Sequence, residues 1–270
     1  MTINPRQLAT IPGWFPVIDQ LLFEWFLGEQ VEQGMTGDLA ELGVYMGKSA
    51  VVIGSYLRAD ERFTVVDLFD SKASGAANRH ENETLYKDLT QGAFESHYRR
   101  FHSDLPTVVR GFSSEIIAHG RVNGHRFVHV DASHLYELVK IDISSAKRLL
   151  QPQGIAAFDD FRSAHTPGVA AAVWDAVVHD GLRPIVISSG KLYGTWGDPA
   201  PWQAALHRWF VSANLSSEVQ EVAGAPLIRV WPGPRERPVL RALVRTLPSP
   251  VRSRVLILYR KSQDRQGSTV

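Results

Sequence analysis

Residues Asp38–Ser49 read DLAELGVYMGKS, and this stretch decides the fold. An apolar segment leads through two glycines, Gly43 and Gly47, into a helix-forming segment, which is typical of a strand, a tight turn and a helix. Glycines in such a turn let the backbone approach a ligand closely, and the following helix presents unpaired N–H groups to it. The glycines lie four residues apart, so they fit neither the dinucleotide pattern G-x-G-x-x-G nor a phosphate-binding loop.

The rest of the chain continues this alternation of short apolar runs with longer helical stretches. The predicted strands are Asp38–Val44, Phe63–Asp67, Thr107–Arg110, Phe127–Asp131, Ile155–Phe158 and Pro184–Ser188. The predicted helices are Ser49–Arg58, Thr84–Phe101, Ser114–His119, His134–Leu150 and Val169–Asp180. Apolar strands separated by helices predict an α/β fold, a mostly parallel sheet with helices on both faces. Lys191–Gly197 and Leu227–Trp231 are predicted as further strands that form a hairpin at the sheet edge.

The two ends of the chain differ from this alternating middle. Residues 1–36 are predicted as a helical or lid segment, in which Pro12–Phe26 is a helix packed over the sheet or a contact in a homo-oligomer. Residues 37–232 are the predicted α/β domain, and its polar segment Ser71–Glu83 is predicted as a mobile lid. Residues 233–270 are a basic extension, because nine Lys or Arg residues stand against two acids between Arg235 and Arg265.

The composition excludes several kinds of site and partner. The 270 residues include no cysteine, which excludes disulfides, thiolate metal sites and cysteine nucleophiles. A metal must then be held by oxygen or imidazole nitrogen, and oxygen ligands favour Mg²⁺, Mn²⁺ or Ca²⁺. A net charge of +1 does not call for a nucleic acid partner. No signal peptide and no apolar stretch near the ~20 residues of a membrane span are visible, so a cytoplasmic protein is expected.

An acid follows the second predicted strand. Asp67 lies 24 residues after Gly43, where a carboxylate can accept hydrogen bonds from both ribose hydroxyls of a nucleoside, and Asp70 is a second candidate. The glycine turn and this acid predict an adenosine-type ligand, which leaves S-adenosylmethionine and NAD both open. Glu41, two residues before the first glycine, favours a cationic ligand over a pyrophosphate. S-adenosylmethionine carries a sulfonium and an ammonium.

Three acids and a histidine follow the fourth and fifth predicted strands. The fourth strand ends in Asp131 and the fifth in Asp159 and Asp160, so neighbouring parallel strands bring these carboxylates to one edge of the sheet. Clustered carboxylates are costly to ionise, and a hard cation that prefers oxygen ligands removes this cost. His134 lies three residues after Asp131, where an imidazole can take a proton from a hydroxyl near neutral pH.

These motifs in combination resemble one family of enzymes. The chain carries, in this order, the motifs E-x-G-x-x-x-G, V-D, D-x-x-H-x-Y and D-D. This series is similar to that of the metal-dependent sugar O-methyltransferases of the macrocin, macrolide-sugar and aminocoumarin-sugar type. The resemblance covers Gly37 to Asp160. It implies a Rossmann-like class I methyltransferase fold, a seven-stranded sheet in which the last strand is antiparallel.

The resemblance also implies roles for individual residues. His134 and Asp131 would be catalytic, with His134 as the general base, and Tyr136 would support the pocket. The implied ligands of Mg²⁺ or Mn²⁺ are Asp131, Asp159 and Asp160. The residues assigned to S-adenosylmethionine are Glu41, Gly43, Tyr45, Gly47, Lys48, Ser49, Asp67, Gly111, Ser113 and Asp131. The family's usual D-G-D-H is Asp131-Ala-Ser-His134 here, so Ser133 replaces an acid and the acceptor is expected to differ.

The methyl acceptor implied by the resemblance is a sugar hydroxyl on a small molecule or an oligosaccharide. Pro12–Phe15 (PGWF) and the Arg-rich tail resemble actinobacterial enzymes that methylate mannosides of methylmannose polysaccharides. A catechol acceptor, a nicotinamide-dependent oxidoreductase, a metal-dependent hydrolase and a non-catalytic cofactor-binding module stay open as alternatives. The sequence does not choose which tryptophan would stack on a sugar; the candidates are Trp14, Trp25, Trp196 and Trp202.

Overall fold

The computed structural model describes residues 3–71 and 89–231. The strands in these residues are β1 (Asp38–Leu42), β2 (Phe63–Asp67), β3 (Thr107–Arg110), β4 (His125–Val130), β5 (Leu150–Phe158), β6 (Arg183–Ile187), β7 (Leu192–Thr195), β8 (Ser216–Val222) and β9 (Ala225–Trp231). The helices are α1 (Pro5–Leu8), α2 (Val17–Glu32), α3 (Lys48–Gly54), α4 (Gln91–Tyr98), α5 (Ile116–His119), α6 (Tyr136–Leu149), α7 (Pro167–His179) and α8 (Ala200–Ser212).

All of these strands join one sheet, in the order β3-β2-β1-β4-β5-β7-β6-β9-β8. The strands β1 to β5 run parallel, and β7 is antiparallel to both of its neighbours, β5 and β6. The order from β3 to β6 confirms the Rossmann-like α/β fold with one antiparallel strand. The expected number of seven strands is wrong for the described residues, which form nine, because the antiparallel pair β8–β9 extends the sheet beyond β6.

Helices cover both faces of the sheet, as the apolar strands predict. Side chains alternate between the faces of a strand, so Leu39 and Phe127 enter one buried apolar cluster while Ala40 and Val128 enter the other. The first cluster includes side chains of α2, α3, α4 and α8, and the second includes side chains of α5, α6 and α7. The burial of these apolar side chains is the dominant favourable term in the stability of such a fold.

The N-terminal segment is helical and packs against the sheet. Phe23 and Phe26 of α2 are buried in the first cluster. Near the end of α2, Gln30 accepts a hydrogen bond of 2.9 Å from Arg126 of β4, which also forms a buried ion pair of 2.9 Å with Glu61. Packing over the sheet, one of the two predictions for this segment, is confirmed, and the contact in a homo-oligomer stays a prediction.

The helix that follows β4 begins later than the apolar spacing predicts. It begins at Tyr136 instead of His134, because Leu135 has an extended backbone with φ −82° and ψ 129°. Leu135 lies four residues before Val139 and continues the apolar spacing of the helix, which predicts a core position, but its side chain is exposed. His134 therefore lies in the loop between β4 and α6, at the edge of the sheet.

Two predictions for the second half of the sheet are wrong. The strand predicted over Ile155–Phe158 begins earlier, because Leu150 is already extended and pairs with His125 of β4. The two further strands do not pair with each other in an edge hairpin. The strand within Lys191–Gly197 is β7, which lies between β5 and β6, and Leu227–Trp231 belongs to β9, whose hairpin partner is β8.

Three predicted features lie wholly or largely outside the described residues. The basic extension 233–270 lies wholly outside the described residues. Of the lid predicted at 71–83, only residue 71 is described, and the helix predicted over Thr84–Phe101 is described from residue 89 onward. The described part of that helix is α4. In the part of the chain that the structure describes, no helix is long and apolar enough to cross a membrane.

Candidate active site

The polar residues singled out in the sequence meet at the carboxyl ends of β1, β2, β4 and β5. They line a cavity of about 820 Å³, which lies within the range of roughly 300–1,000 Å³ that is usual for small-molecule sites. The predicted residues that the cavity brings together are Gly43, Tyr45, Lys48, Ser49, Asp67, Gly111, Ser113, Asp131, His134, Asp159 and Asp160. Of the described residues predicted for the cofactor, Glu41 and Gly47 are outside this lining.

The turn between β1 and α3 has a left-handed backbone at three positions. The φ angle is +78° at Gly43, +47° at Tyr45 and +89° at Gly47. A Cβ at Gly43 would lie 2.0 Å from the carbonyl oxygen of Asp131, and one at Gly47 would lie 2.9 Å from the ring of Phe94. The shape of the turn and its close neighbours therefore require both glycines. Tyr45 is a non-glycine residue in this strained region, and such strain clusters at functional sites.

Gly43→Ala is expected to lower the free energy of unfolding by at least about 2 kcal/mol and to abolish nucleoside binding, because the added methyl group combines a strained φ with a backbone clash. Urea unfolding and titration with S-adenosylhomocysteine measure the two effects. Gly34→Ala is the matched control, since Gly34 has a φ of +69° but a Cβ added there would meet no atom of the described residues within 4 Å. Equal losses of stability in the two variants would mean that the contact with Asp131 is unimportant.

Asp67 holds this turn in place as well as lining the cavity. Its Oδ2 accepts hydrogen bonds from the backbone N–H groups of Val44 (2.7 Å) and Tyr45 (3.0 Å), and its Oδ1 accepts one from Phe69 (2.8 Å). Burial raises the pKa of Asp67, although these three hydrogen bonds oppose the rise. The two N–H groups of the turn point to a carboxylate, so they are not available to the pyrophosphate of a dinucleotide.

Glu41 is fully buried and belongs to a chain of polar side chains. Its Oε1 accepts a hydrogen bond from Ser49 and lies 2.7 Å from Nδ1 of His129. Nε2 of His129 lies 3.1 Å from Nζ of Lys191. The other carboxylate oxygen, Oε2, has no hydrogen-bond partner in the described residues, which is costly for a buried group. A positive charge bound at the turn would stabilise this carboxylate.

Asp131 lies at the centre of the acidic cluster. Ligand atoms of Asp131, His134 and Asp160 lie within 4.8 Å of one another, and so do those of Asp131, His129 and Asp159. Burial, and then the negative charge of Asp159, raise the pKa of Asp131 well above its usual value. The three carboxylates predicted from the strand ends therefore meet around Asp131, and their mutual repulsion is not fully compensated by protein groups.

Lys191 compensates part of this charge and was not predicted from the sequence. Its side chain is 1% exposed and forms an ion pair with Oδ2 of Asp159. Burial opposes ionisation of Asp159, but the ammonium of Lys191 holds the pKa of that carboxyl below its usual range. Burial also opposes the charge of Lys191, yet the charges of Asp159 and Asp131 raise its pKa overall. A single lysine before an apolar run carries no sequence signal for such a role.

His134 reaches the acidic cluster from the loop after β4. Its Nε2 lies 2.8 Å from Oδ2 of Asp160, and Oδ1 of Asp160 accepts a hydrogen bond of 2.5 Å from Ser163. Burial would raise the pKa of Asp160, but these two contacts lower it overall. His165 is a second imidazole in the cavity lining that was not predicted, and its ring centroid lies 6.4 Å from that of His134.

The loop after β3 forms another part of the cavity lining. The N–H of Gly111 donates a hydrogen bond of 3.0 Å to the carbonyl of Asp67, and Glu115 accepts one of 2.8 Å from the N–H of Phe112. A Cβ at Gly111 would lie 2.2 Å from the Glu115 carboxylate, so a larger residue here would require the Glu115 side chain to move. Phe112, which was not predicted, and Ser113 line the cavity beside it. An exposed aromatic ring here suits a flat heterocycle.

Comparisons with known proteins agree with this arrangement. Residues 40–161, which contain the glycine turn, Asp67 and the acidic cluster, match a family model described as a methyltransferase domain. A search of curated proteins finds no match.

Several solved structures are similar to this chain. The O-methyltransferase NovP is 17% identical with a TM-score of 0.53, over 66% of this chain and 79% of that chain. A Corynebacterium glutamicum protein is 13% identical with a TM-score of 0.52, over 73% of this chain and 92% of that chain. CalS11, a TDP-rhamnose 3'-O-methyltransferase of calicheamicin biosynthesis, is 19% identical with a TM-score of 0.47, over 73% of this chain and 89% of that chain. The family match over residues 40–161 is to a methyltransferase domain, and the likeness to NovP and to the C. glutamicum protein is a likeness of fold.

Proposed function

We propose that this protein transfers a methyl group from S-adenosylmethionine to a sugar hydroxyl, with Mg²⁺ or Mn²⁺ held at the acidic cluster. The observation that carries the proposal is the meeting of the glycine turn, three carboxylates and His134 in one cavity. A glycine turn alone fits any adenosine-type ligand, and an acidic cluster alone fits many metal sites. Their combination favours methyl transfer that is assisted by a metal.

The turn fits a cationic nucleoside cofactor better than a dinucleotide. Its N–H groups at Val44 and Tyr45 are taken by Asp67, and Glu41 has a buried oxygen that lacks a partner in the described residues. These features disfavour a nicotinamide cofactor and suit the sulfonium and ammonium of S-adenosylmethionine, which supplies the methyl group when bound. The residues that we assign to this cofactor are Glu41, Gly43, Tyr45, Gly47, Lys48, Ser49, Asp67, Gly111, Ser113 and Asp131.

The acidic cluster fits a hard divalent cation. Ligand atoms of Asp131 lie within 4.8 Å of those of Asp159 in one donor group and of those of Asp160 in another. An ion with ligand distances of about 2.0–2.1 Å, such as Mg²⁺, can bridge donors at this spacing. Burial, and then the negative charge of Asp159, raise the pKa of Asp131, and a bound cation would lower it. We assign Asp131, Asp159 and Asp160 as the ligands. A bound cation at this place would lower the pKa of an acceptor hydroxyl and hold it near the cofactor.

His134 is assigned as the general base, and Asp131 shares in catalysis as a metal ligand. Asp160 orients the imidazole through the contact of 2.8 Å, an arrangement in which a third group holds the base. The acceptor hydroxyl would give its proton to His134 as its oxygen takes the methyl group. S-adenosylmethionine would supply that methyl group from its sulfonium and would be left as S-adenosylhomocysteine.

Titration of chelator-treated protein with S-adenosylhomocysteine, and separately with Mg²⁺, tests the cofactor and the metal independently. We expect nucleoside binding with a Kd of about micromolar order. We expect Asp131→Asn to bind Mg²⁺ at least about tenfold more weakly, because it removes the central carboxylate. Asp104→Asn is the matched control, an exposed carboxylate that precedes β3, and it should bind both ligands as the wild type does.

Failure of the wild type to bind S-adenosylhomocysteine would overturn the methyl-transfer proposal. Binding of Mg²⁺ by Asp131→Asn with wild-type affinity would overturn the metal site but leave the cofactor site intact. Nucleoside binding together with loss of Mg²⁺ affinity in the variant would support both assignments, and the acceptor would then be identified by methyl transfer to candidate glycosides.

A further inference from the structure

One wall of the cavity is aromatic, and its exposed ring, that of Trp14, has no role in the proposed methyl transfer. Trp14 lines the cavity and is 69% exposed. Its ring stacks on that of Tyr45, with 5.9 Å between the centroids and 24° between the planes. We propose that the ring of Trp14, held by its stacking on Tyr45, is an acceptor subsite, the aromatic platform, that binds the C–H face of a pyranose ring. This inference rests on the proposed sugar acceptor and names a binding element for it.

The backbone around Trp14 is arranged to hold the indole in position. Gly13 has a φ of +123°, and a Cβ there would lie 3.1 Å from the Tyr45 ring. The carbonyl of Gly13 accepts a hydrogen bond of 2.6 Å from Nζ of Lys48, which connects this segment to the start of α3. On the other side of Trp14, Phe15 is buried in the first core cluster. An exposed ring between two fixed neighbours loses little conformational entropy when a ligand binds to it.

The other candidate tryptophans serve the core instead. Trp25 stacks on Trp209 with 5.6 Å between the centroids, and Trp202 is buried. Trp196 donates a hydrogen bond of 3.2 Å from its Nε1 to a backbone carbonyl and packs against the second cluster. Among these candidates, all of which lie in the described residues, only Trp14 lines the cavity. The structure therefore makes the choice that the sequence leaves open.

A pyranose matches both kinds of surface in this cavity. One face of the ring carries C–H groups that can pack on an aromatic ring, while the hydroxyls around its edge need hydrogen-bond partners. Polar side chains in the same lining are Ser133, His134, Asp160, Ser163, His165 and Ser189. A catechol presents only two hydroxyls, whereas a pyranose presents several that these polar groups can bind. The combination of an aromatic wall and many polar groups favours a sugar.

Transfer of labelled methyl groups to a panel of methyl hexosides and 6-deoxyhexosides, and to 3,4-dihydroxybenzoate, tests the aromatic platform. For a glycoside that is methylated, we expect Trp14→Ala to raise KM about tenfold, which corresponds to the loss of one stacking contact. We expect kcat to stay within about twofold, because the acidic cluster and His134 are unchanged. Trp14→Phe is the matched control and should retain most of the affinity, since it keeps an aromatic face.

A binding readout complements turnover. In protein labelled with 5-fluorotryptophan, the ¹⁹F resonance that is missing from Trp14→Phe should shift when the glycoside is added in the presence of S-adenosylhomocysteine. If this resonance shifts with protein concentration and not with added glycoside, a second copy of the chain covers the indole. That result would overturn the subsite.

The outcomes separate the subsite from the proposed function. Glycoside turnover with the same KM in Trp14→Ala and wild type would overturn the aromatic platform and leave the sugar acceptor intact. Methylation of 3,4-dihydroxybenzoate alone, with no shift of the Trp14 resonance by any glycoside, would overturn both.

Discussion

Replacement of His134 by alanine is expected to lower kcat by about 10²–10⁴-fold at neutral pH, the usual contribution of a positioned general base. The loss should appear in kcat and kcat/KM alike, because proton transfer from the acceptor hydroxyl occurs in the transition state. Affinity for S-adenosylhomocysteine should not change, since no hydroxyl is deprotonated when it binds. Steady-state methyl transfer to the identified acceptor, together with calorimetric titration of the nucleoside, measures these effects.

Metal affinity distinguishes the two roles that the geometry allows for His134. Its imidazole belongs to one donor group with Asp131 and Asp160, so a ligand role would make the variant bind Mg²⁺ more weakly. A base role leaves the Kd for Mg²⁺ within about threefold of the wild-type value. His165→Ala is the matched control, because it removes the other imidazole of the cavity, and it should lose far less activity. Equal losses in the two variants would contradict the assignment of the base to His134.

The acidic cluster could be predicted because its geometry depends on features that are local in the sequence. Asp131 and Asp159 each follow an apolar run, and the register that pairs Val130 with Phe158 brings them side by side. Lys191 could not be predicted in the same way. Its contact with Asp159 exists only because β7 inserts antiparallel next to β5, which is a long-range event with no signal in the residues around it.

The edge strand β8 could not be predicted from local sequence either. The residues of β8 are exposed or half-exposed, so no apolar alternation marks them as a strand, and a polar edge strand of this kind also discourages pairing with other chains. In contrast, the sequence of α8 does carry a helical pattern, since Trp202, Leu206 and Phe210 recur at a spacing of four residues and are all buried. Apolar spacing also gave a wrong prediction at Leu135. This residue continues the apolar spacing of α6, but it lies before the first residue of the helix.

Replacement of Lys191 by methionine is expected to destabilise the metal-free protein by about 3–5 kcal/mol, because it leaves a buried carboxylate without its partner. Asp159 would lose its ion pair, and His129 would lose a contact of 3.1 Å. Methionine keeps an unbranched apolar chain beside the rings of Phe15 and Phe23, over which the ammonium now lies at 5.6 and 5.8 Å. Urea unfolding in the presence of a chelator measures the loss.

A double variant and added Mg²⁺ decide whether charge is the cause of this loss. Lys191→Met/Asp159→Asn removes both charges and should recover most of the stability, since replacing a whole buried ion pair is often nearly neutral. Mg²⁺ should stabilise the single variant more than the wild type, because a bound cation supplies the missing charge and binding to the folded state raises its stability. A double variant as unstable as the single one would mean that the packing of Lys191, and not its charge, stabilises the site.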